Sequence, residues 1–454
     1  MSVRVRFAPS PTGYLHIGNA RAALINWLFA KQNKGLFILR QDDTDVERSE
    51  QRYADAVIED LNWLGLNHGE FFKQSDRFDR YQEVVRSLID TGRLYSCFET
   101  PEELDYKRKV LLSKKKPPVY DREGLHLTQE QIRNYETEGR RPHWRFKLNP
   151  GKIEWTDLIR GPVSFDTADI SDPVLVRADG SFLYTITSVI DDFDYKITHI
   201  VRGEDHVTNT ATQVQLLEAI NNNQPFPIQF AHMTLLMDAD GQPLSKRIGG
   251  LSLRSLREKG INPMAINSHL ARLGTSLPIE PKLQLEDLVN EFDFNHFSRT
   301  TPKFNEEDLK ILNHKLFHKM PYEQVKSHIE KLGCLKIKEK EWELLHDNIE
   351  TLEDLKKWEN ILYGNFTPCK NNDAEYIKLS FALLNEDAVT ENTWGEWTKK
   401  IKEESGRKGK DLFMPLRQAL TGMDHGPEMK KIIILMGYDR VCTRLKSQFT
   451  MNHA

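Results

Sequence analysis

The first forty residues constrain the chain most. Val3-Arg4-Val5-Arg6-Phe7 alternates apolar and charged residues with the period of a strand, and Ala8-Pro9-Ser10-Pro11-Thr12-Gly13 is a dense turn signal. Ala20, Ala23, Leu24, Trp27 and Leu28 then recur at the spacing of one apolar helix face, until Gly35 interrupts before a second strand, Leu36-Phe37-Ile38-Leu39. Strand, helix and strand in that order form a βαβ unit, which requires a parallel sheet and a right-handed crossover. Two more amphipathic helices follow, one carrying Tyr53, Val57, Ile58, Leu61 and Leu64, the other Phe78, Tyr81, Val85, Leu88 and Ile89.

Beyond Cys97 the texture changes. Thr100-Pro101-Glu102-Glu103 and Thr128-Gln129-Glu130-Gln131 are capping boxes, and the basic run Lys114-Lys115-Lys116-Pro117-Pro118 between them reads as a solvated loop. Short strand patterns cluster from Trp144 to Ile186, so 95–187 reads as an α+β module inserted into the first fold. Ile197-Thr198-His199-Ile200-Val201-Arg202, with a helix carrying Val214, Leu217 and Ile220, then restores the earlier rhythm. From Leu253 onward nearly every segment has helical period, punctuated by Pro and Gly. Trp394, Trp397 and Ile401 stripe one of these helices, and the Trp pair reads as core rather than as a base-stacking platform.

At 454 residues the chain has room for three domains or more at about 150 residues each. Its 63 Lys and Arg against 67 Asp and Glu leave a net charge of −4, which excludes a polybasic mode of action but not a local basic face. The longest apolar run, Ile432 to Met436, is far shorter than the roughly 18 residues of a membrane span, and the charged N-terminus lacks a signal-peptide core. A cytoplasmic protein is expected. Cys97, Cys334, Cys369 and Cys442 form no CxxC pair and read as buried free thiols.

In a parallel sheet ligands collect beyond the carboxyl ends of the strands, where Gly13-Tyr14-Leu15-His16-Ile17-Gly18-Asn19 leads into the first helix. Glycine admits a phosphate close to the backbone, the helix start offers unpaired N–H groups, and His16 and Asn19 add side-chain donors. An anionic nucleotide fits this turn, although its spacing is neither a Walker loop nor GxGxxG. Far downstream, Gly241-Gln242-Pro243-Leu244-Ser245-Lys246-Arg247, followed by Gly249-Gly250, sets two cations on a glycine-flanked loop able to reach a triphosphate.

Together, His16-Ile17-Gly18-Asn19 and Leu244-Ser245-Lys246-Arg247, on opposite sides of the inserted module, resemble the two signatures of class I aminoacyl-tRNA synthetases. Four more segments look like the bacterial glutamyl-tRNA synthetase family: Arg6 to Gly13, Asp42-Asp43-Thr44-Asp45, Arg202-Gly203-Glu204-Asp205-His206, and Lys408 to Phe413 with Pro415-Leu416-Arg417. The resemblance runs essentially end to end. It implies a Rossmann-like α/β catalytic domain split into 1–94 and 188–239, and an acceptor-end-binding module over 95–187. It further implies a stem-contact helical domain over 240–318 that begins with the lysine loop, and all-α anticodon-binding subdomains over 319–375 and 376–454.

The resemblance also implies the chemistry. Glutamate's α-carboxylate attacks the α-phosphorus of ATP, and the 2′-OH of the tRNA's terminal adenosine then takes the glutamyl group, so no protein nucleophile is needed. ATP with Mg²⁺ is the expected cofactor. L-Glutamate and tRNA(Glu) are the expected partners, tRNA(Gln) stays open as a second, no membrane is involved, and a monomer is expected. His16 and Lys246 take the catalytic charge; Thr12, His16, Gly18, Asn19, Lys246 and Arg247 hold ATP. For glutamate, Arg6 and Arg202 meet the carboxylates, Ala8, Ser10 and Tyr184 add contacts, and Asp42 faces the ammonium. Arg140, Arg141, Arg407, Lys408, Lys410 and Arg417 are the tRNA candidates. Singly, each has an ordinary structural reading: Arg6 as an exposed strand residue, Tyr184 as a core aromatic, Asp42 as an N-cap.

Two departures from the family pattern stand out. Asp42 occupies a position where glutamyl enzymes more often have Glu and glutaminyl enzymes usually have Asp, whereas Arg6 favours a charged substrate over a neutral amide. Some members carry Cys-x-Cys and Cys-x-His zinc ligands in the insertion. Here Cys97-Phe98-Glu99 offers one thiol and 121–126 none, so no zinc is expected. The rival from another class is a catalytically silent tRNA-binding paralogue, against which the retained Arg6, His16, Arg202 and Lys246 speak.

Overall fold

Strand β1 (Arg4–Phe7), helix α1 (Ile17–Gln32) and strand β2 (Leu36–Gln41) form the anticipated βαβ unit, with β1 and β2 parallel and Val5 opposite Phe37. The computed structural model describes residues 2–45, 47–242, 244, 251–365, 373–384 and 389–450. In the lysine-bearing loop, 243 and 245–250, including Lys246 and Arg247, lie outside the described residues, as does Cys369.

Helix α1 differs from its sequence reading. Besides the expected apolar face it buries Ile17, Arg21, Ile25, Asn26 and Ala30. One side of α1 packs on the sheet, where Asn26 donates to the Val201 carbonyl at 3.0 Å. Its other side meets the segment beyond Leu285–Asn290, with the rings of Phe29 and Phe294 at 5.0 Å. Arg21 survives burial because it donates to the carbonyls of Thr234 and Leu273 at 2.7 and 3.1 Å.

Three parallel strands, β1, β2 and β3 (Glu70–Lys73), make one run of the sheet, with helix α2 (Gln51–Leu64) between β2 and β3 and helix α3 (Phe78–Asp90) after β3. A second run has the order β7 (Gly161–Asp166), β6 (Lys152–Asp157), β10 (Gln229–Met233), β9 (His199–Gly203). The Thr198 N–H donates to the Arg4 carbonyl at 2.9 Å, so β9 lies beside β1 and the two runs continue one another. Successive strands therefore leave β1 in opposite directions, and the crevice at its carboxyl end is the topological switch point of this sheet.

The stretch 95–187 contributes strands to two sheets. The antiparallel sheet β4 (Leu94–Cys97), β5 (His143–Phe146), β8 (Val174–Val176), with helices α4 (Pro101–Ser113) and α5 (Gln129–Thr137), forms a separate layer. Thr100 and Thr128 cap the two helices in reciprocal boxes. The β6–β7 hairpin instead extends the main sheet, Asp157 pairing with Phe230 of β10. Ile186, expected in a strand, lies in helix α6 (Tyr184–Asp194), because burial of Ile186, Val189 and Ile190 on one face outweighs the strand propensity of a β-branched run. Tyr81, Phe146, Leu175 and Leu216 pack against that face.

The chain divides into two units, Met1–Glu258 with Ile266–Glu306, and Lys259–Ala265 with Glu307–Ala454. The second is helical throughout its described residues, and Gly406 and Gly422, each at φ 68°, end two of its helices in the left-handed conformation. Among the described residues no helix is long and apolar enough to cross a membrane. Cys97, Cys334 and Cys442 are buried and free.

Candidate active site

The turn after β1 is organised by His16. Its Nδ1 accepts the N–H groups of Gly18 and Asn19 at 3.1 and 3.4 Å, while the Asn19 amide oxygen accepts the His16 N–H at 3.5 Å. His16 is thus the N-cap of α1 in a reciprocal capping box. Both bonds need a lone pair on Nδ1, so the neutral ring carries its proton on Nε2. Desolvation by the surrounding protein lowers the His16 pKa and favours that neutral form. Gly18 is required by the same geometry, since a Cβ there would lie 2.9 Å from His16 Cε1.

A cavity of about 430 Å³ opens at the carboxyl ends of β1 and β9. It brings together Arg6, Ala8, His16, Gly18, Asn19, Tyr184 and Arg202 of the sequence-derived set, and Leu244 from the start of the lysine-bearing loop. Ser10 and Thr12 are exposed on the turn and do not line it.

Asp42 is not brought to the cavity either. Its carboxylate is buried and takes Arg40 in a two-point pair, Nε–Oδ1 2.6 Å and Nη2–Oδ2 3.0 Å. Burial pushes its pKa up to about 6 and Arg40 pulls it down. Arg6, far from being an exposed strand residue, is 5% exposed and pairs with Asp192 through Nε at 2.9 Å and Nη2 at 3.3 Å. Asp192 also accepts from Arg40 at 3.2 Å, so one carboxylate of α6 bridges two strand guanidinium groups. The sequence reading missed Asp192 and Arg40. The available signal was two adjacent acids, Asp191 and Asp192, inside an otherwise apolar helical stretch, where buried charge demands cationic partners.

Arg202 is a different kind of cation. It is 7% exposed, and it donates to Thr210 Oγ1 at 2.7 Å, Gln213 Oε1 at 2.6 Å and His232 Nε2 at 3.3 Å. These acceptors are all neutral, and Arg202 Nη1 is buried without a hydrogen-bond partner among the described residues. Burial lowers the Arg202 pKa, whereas an anion reaching the guanidinium favours its charge. A buried cation lacking a carboxylate of its own, beside a helix N-terminus, suits an anionic ligand.

Residues 2–311 match the family described as tRNA synthetases class I (E and Q), catalytic domain, and residues 315–449 match an anticodon binding domain. The chain belongs to the class I tRNA synthetases of the E and Q group. It is 48% identical over 442 residues to glutamate--tRNA ligase 2 of Hyphomonas neptunium, covering 97% of this chain and 99% of that one. It is 48% identical over 449 residues to glutamate--tRNA ligase of Azospirillum brasilense, covering 99% and 100%. A solved glutamate tRNA ligase from Elizabethkingia meningosepticum, in complex with its amino acid, superposes with a TM-score of 0.84 at 28% identity over 100% of both chains.

The candidate tRNA contacts of this synthetase do not form one set. Arg140 pairs with Glu103 at 3.3 Å and lies over the Tyr135 ring at 5.1 Å, while Arg141 is exposed. Arg407 is paired with Asp373 and lies 4.0 Å from the Tyr376 ring centre, which makes it a packing element of its own unit. Lys408 is exposed on the adjoining loop. Lys410 and Arg417 instead share a cavity of about 360 Å³ with Trp394 and Phe413. Trp394 thus departs from the core reading, whereas Trp397 is buried and donates to the Ser380 carbonyl at 2.8 Å.

The insertion holds a group that sequence spacing did not reveal. Ligand atoms of Cys97, Glu99 and His143 lie within 4.8 Å of one another, because β4 and β5 pair Cys97 with His143. Burial pushes the Cys97 thiol up to about 11, against thiolate formation, and the His143 imidazole down to about 4. The nearby carboxylates already hold an ammonium, Lys107 Nζ lying 3.5 Å from Glu99 and 3.1 Å from Asp121. One thiol and one imidazole, beside carboxylates that already hold an ammonium, offer fewer soft ligands than a tetrahedral structural zinc site takes.

Proposed function

We propose that this synthetase ligates L-glutamate to tRNA(Glu) in two steps, through a glutamyl-adenylate. The observation that carries this reading is the presence of two buried guanidinium groups at one cavity, of which Arg202 has no carboxylate partner among the described residues. Glutamate brings two carboxylates, and a neutral side-chain amide forfeits the charge-assisted bond that a guanidinium makes. Arg6 and Arg202 meet the carboxylates, and Ala8 and Tyr184 line the same space, whereas Ser10 and Asp42 stand outside the cavity lining. Because Asp42 is taken by Arg40, its influence on the substrate ammonium is electrostatic rather than by direct contact.

ATP, accompanied by Mg²⁺, lies along the start of α1, where His16 Nε2–H and the backbone around Thr12, Gly18 and Asn19 face the phosphates. Lys246 and Arg247 follow the triphosphate as charge moves to the leaving pyrophosphate. The glutamate carboxylate displaces pyrophosphate from the α-phosphorus. The terminal 2′-OH of tRNA then attacks the acyl carbon, releasing AMP. Positioning and charge stabilisation supply the acceleration.

The insertion meets the acceptor end, 240–318 the inner corner of the tRNA, and 319–375 with 376–454 the anticodon. Lys408, Lys410 and Arg417 are retained as contacts, with Arg140, Arg141 and Arg407 secondary. The protein acts as a cytoplasmic monomer without zinc. Glutamate-dependent ATP–pyrophosphate exchange with tRNA present tests activation, and failure to exchange returns the silent-paralogue reading. Aminoacylating purified tRNA(Glu) and tRNA(Gln) side by side, with glutamine as competitor, tests specificity; charging of tRNA(Gln) makes the enzyme non-discriminating.

A further inference from the structure

We infer that Asp157 and His232 form a dyad that holds Arg202 in its ligand-binding pose, making both of them positioning residues for glutamate affinity. The inference rests on Arg202 meeting a substrate carboxylate, as proposed above.

Sheet register places the three groups together. Asp157 ends β6 opposite Phe230 of β10, and His232 of β10 lies opposite Arg202 of β9. Asp157 Oδ1 accepts three backbone N–H groups, from Ile159 at 3.0 Å, Arg160 at 2.9 Å and His232 at 3.2 Å, so the carboxylate cannot rotate without losing them. Its Oδ2 is 2.5 Å from His232 Nδ1. Burial works against ionisation of Asp157, but the bonds from His232 and from the backbone of Arg160 and Ile159 outweigh it and hold its pKa below the usual range.

The tautomer of His232 follows from Arg202. Arg202 Nε can only donate, and it lies 3.3 Å from His232 Nε2, which therefore carries a lone pair; the ring proton is on Nδ1, donated to Asp157. His232 is fully buried, and the groups facing it are Asp157, Arg202, Arg160 and the Thr210 hydroxyl at 2.9 Å. Burial first, then the neighbouring guanidinium groups, lower its pKa, so the ring stays neutral. Arg202 is consequently gripped at Nε by His232 and at Nη2 by Thr210, Gln213 and, at 3.4 Å, the His206 carbonyl, which leaves Nη1 without a hydrogen-bond partner among the described residues, in a residue that lines the cavity.

The arrangement also explains why the acid stands one residue away. A carboxylate set directly on Arg202 offsets its charge; Arg6 has only a share of Asp192, which also takes Arg40, whereas Arg202 keeps its full charge for an incoming anion. A neutral imidazole orients the guanidinium without cancelling its charge, while Asp157 fixes which imidazole nitrogen accepts.

Asp157→Asn isolates this role. The amide oxygen keeps the three backbone bonds, and the amide N–H faces His232 Nδ1. The ring is drawn to the Nε2–H tautomer, which points a donor at the Arg202 donor, as in the carboxylate-to-amide change of a catalytic triad. In tRNA-dependent ATP–pyrophosphate exchange with the full chain, the KM for glutamate is expected to rise about tenfold or more, with the KM for ATP within about twofold. His232→Leu should behave likewise, and His232→Gln, which restores an acceptor near Arg202, should recover most of the loss. Arg202→Gln serves as the reference. If it raises the glutamate KM while Asp157→Asn and His232→Leu leave it within about twofold, the dyad is not a positioning device and the glutamate reading stands. If Arg202→Gln itself leaves the glutamate KM unchanged, the reading of the cavity fails. Equal loss toward glutamate and ATP, without recovery by His232→Gln, assigns the dyad a merely structural role and overturns the inference.

Discussion

Gly18→Ala tests whether the His16 ring must sit where the fold places it. The added methyl lies 2.9 Å from His16 Cε1 and 3.1 Å from Nδ1, where ordinary contact begins at 3.4 Å, so the ring must retreat by about 0.5 Å. Retreat lengthens the bonds that Nδ1 accepts from Gly18 and Asn19, already 3.1 and 3.4 Å. Loss of such a cap costs about 1 kcal/mol, a fall in melting temperature of about 2 °C for a unit of this size. The larger effect is on chemistry. A misplacement of about 1 Å in a positioned group costs about 10²-fold, so half that distance predicts a loss of about tenfold in kcat for pyrophosphate exchange. The glutamate KM should hardly move, because Arg6 and Arg202 are anchored independently of α1 by Asp192 and by Thr210 with Gln213. His16→Ala and the double variant complete the cycle. If the methyl acts through the ring, the double variant is no worse than His16→Ala; independent, multiplying losses show that it acts elsewhere.

Lys246→Ala should lower adenylate formation about 10² to 10³-fold while tRNA affinity by filter binding stays nearly intact, and equal loss of both refutes the assignment. Asp192→Asn leaves Arg6 and Arg40 without their shared charge, so a loss of about 3 to 5 kcal/mol in urea unfolding is expected, together with a raised glutamate KM; a wild-type midpoint contradicts the bridge. Buried His143 titrates at about 4 in the fold against 6.5 when unfolded, so only the unfolded chain takes up a proton between those values. Stability is therefore intact above pH 6.5 and falls toward pH 4 by about 3 kcal/mol, a slope that His143→Gln should remove in pH-dependent melting. Elemental analysis of chelator-washed protein should find no stoichiometric zinc, and one zinc per chain overturns the reading of the Cys97 cluster.

Much of the active-site region was legible because its signals are local. The turn between β1 and α1 is written in consecutive residues, and His16 and Asn19 are an N-cap and its N3 partner, so the helix terminus coincides with the anion site proposed there. Roles that depend on partners from other strands were not legible. Arg6 has the alternating period of an exposed strand edge, yet Asp192, brought from helix α6, decides that it is buried and paired. Asp42 reads as free to meet an ammonium, yet its neighbour but one, Arg40 of β2, takes its carboxylate in a two-point pair. The β6–β7 hairpin reads as part of the insertion because sequence proximity says nothing about which sheet edge a strand completes.

The βαβ start, the all-α last two hundred residues and the family were readable from neighbouring residues, because turn chemistry, hydrophobic period and motif order are local. Which buried cation keeps a donor without a partner among the described residues depends on long-range pairing. Arg6 and Arg202 are equivalent as letters, but one meets a carboxylate and the other an imidazole. The free energy of a buried charge is set by whatever long-range pairing places within hydrogen-bonding reach.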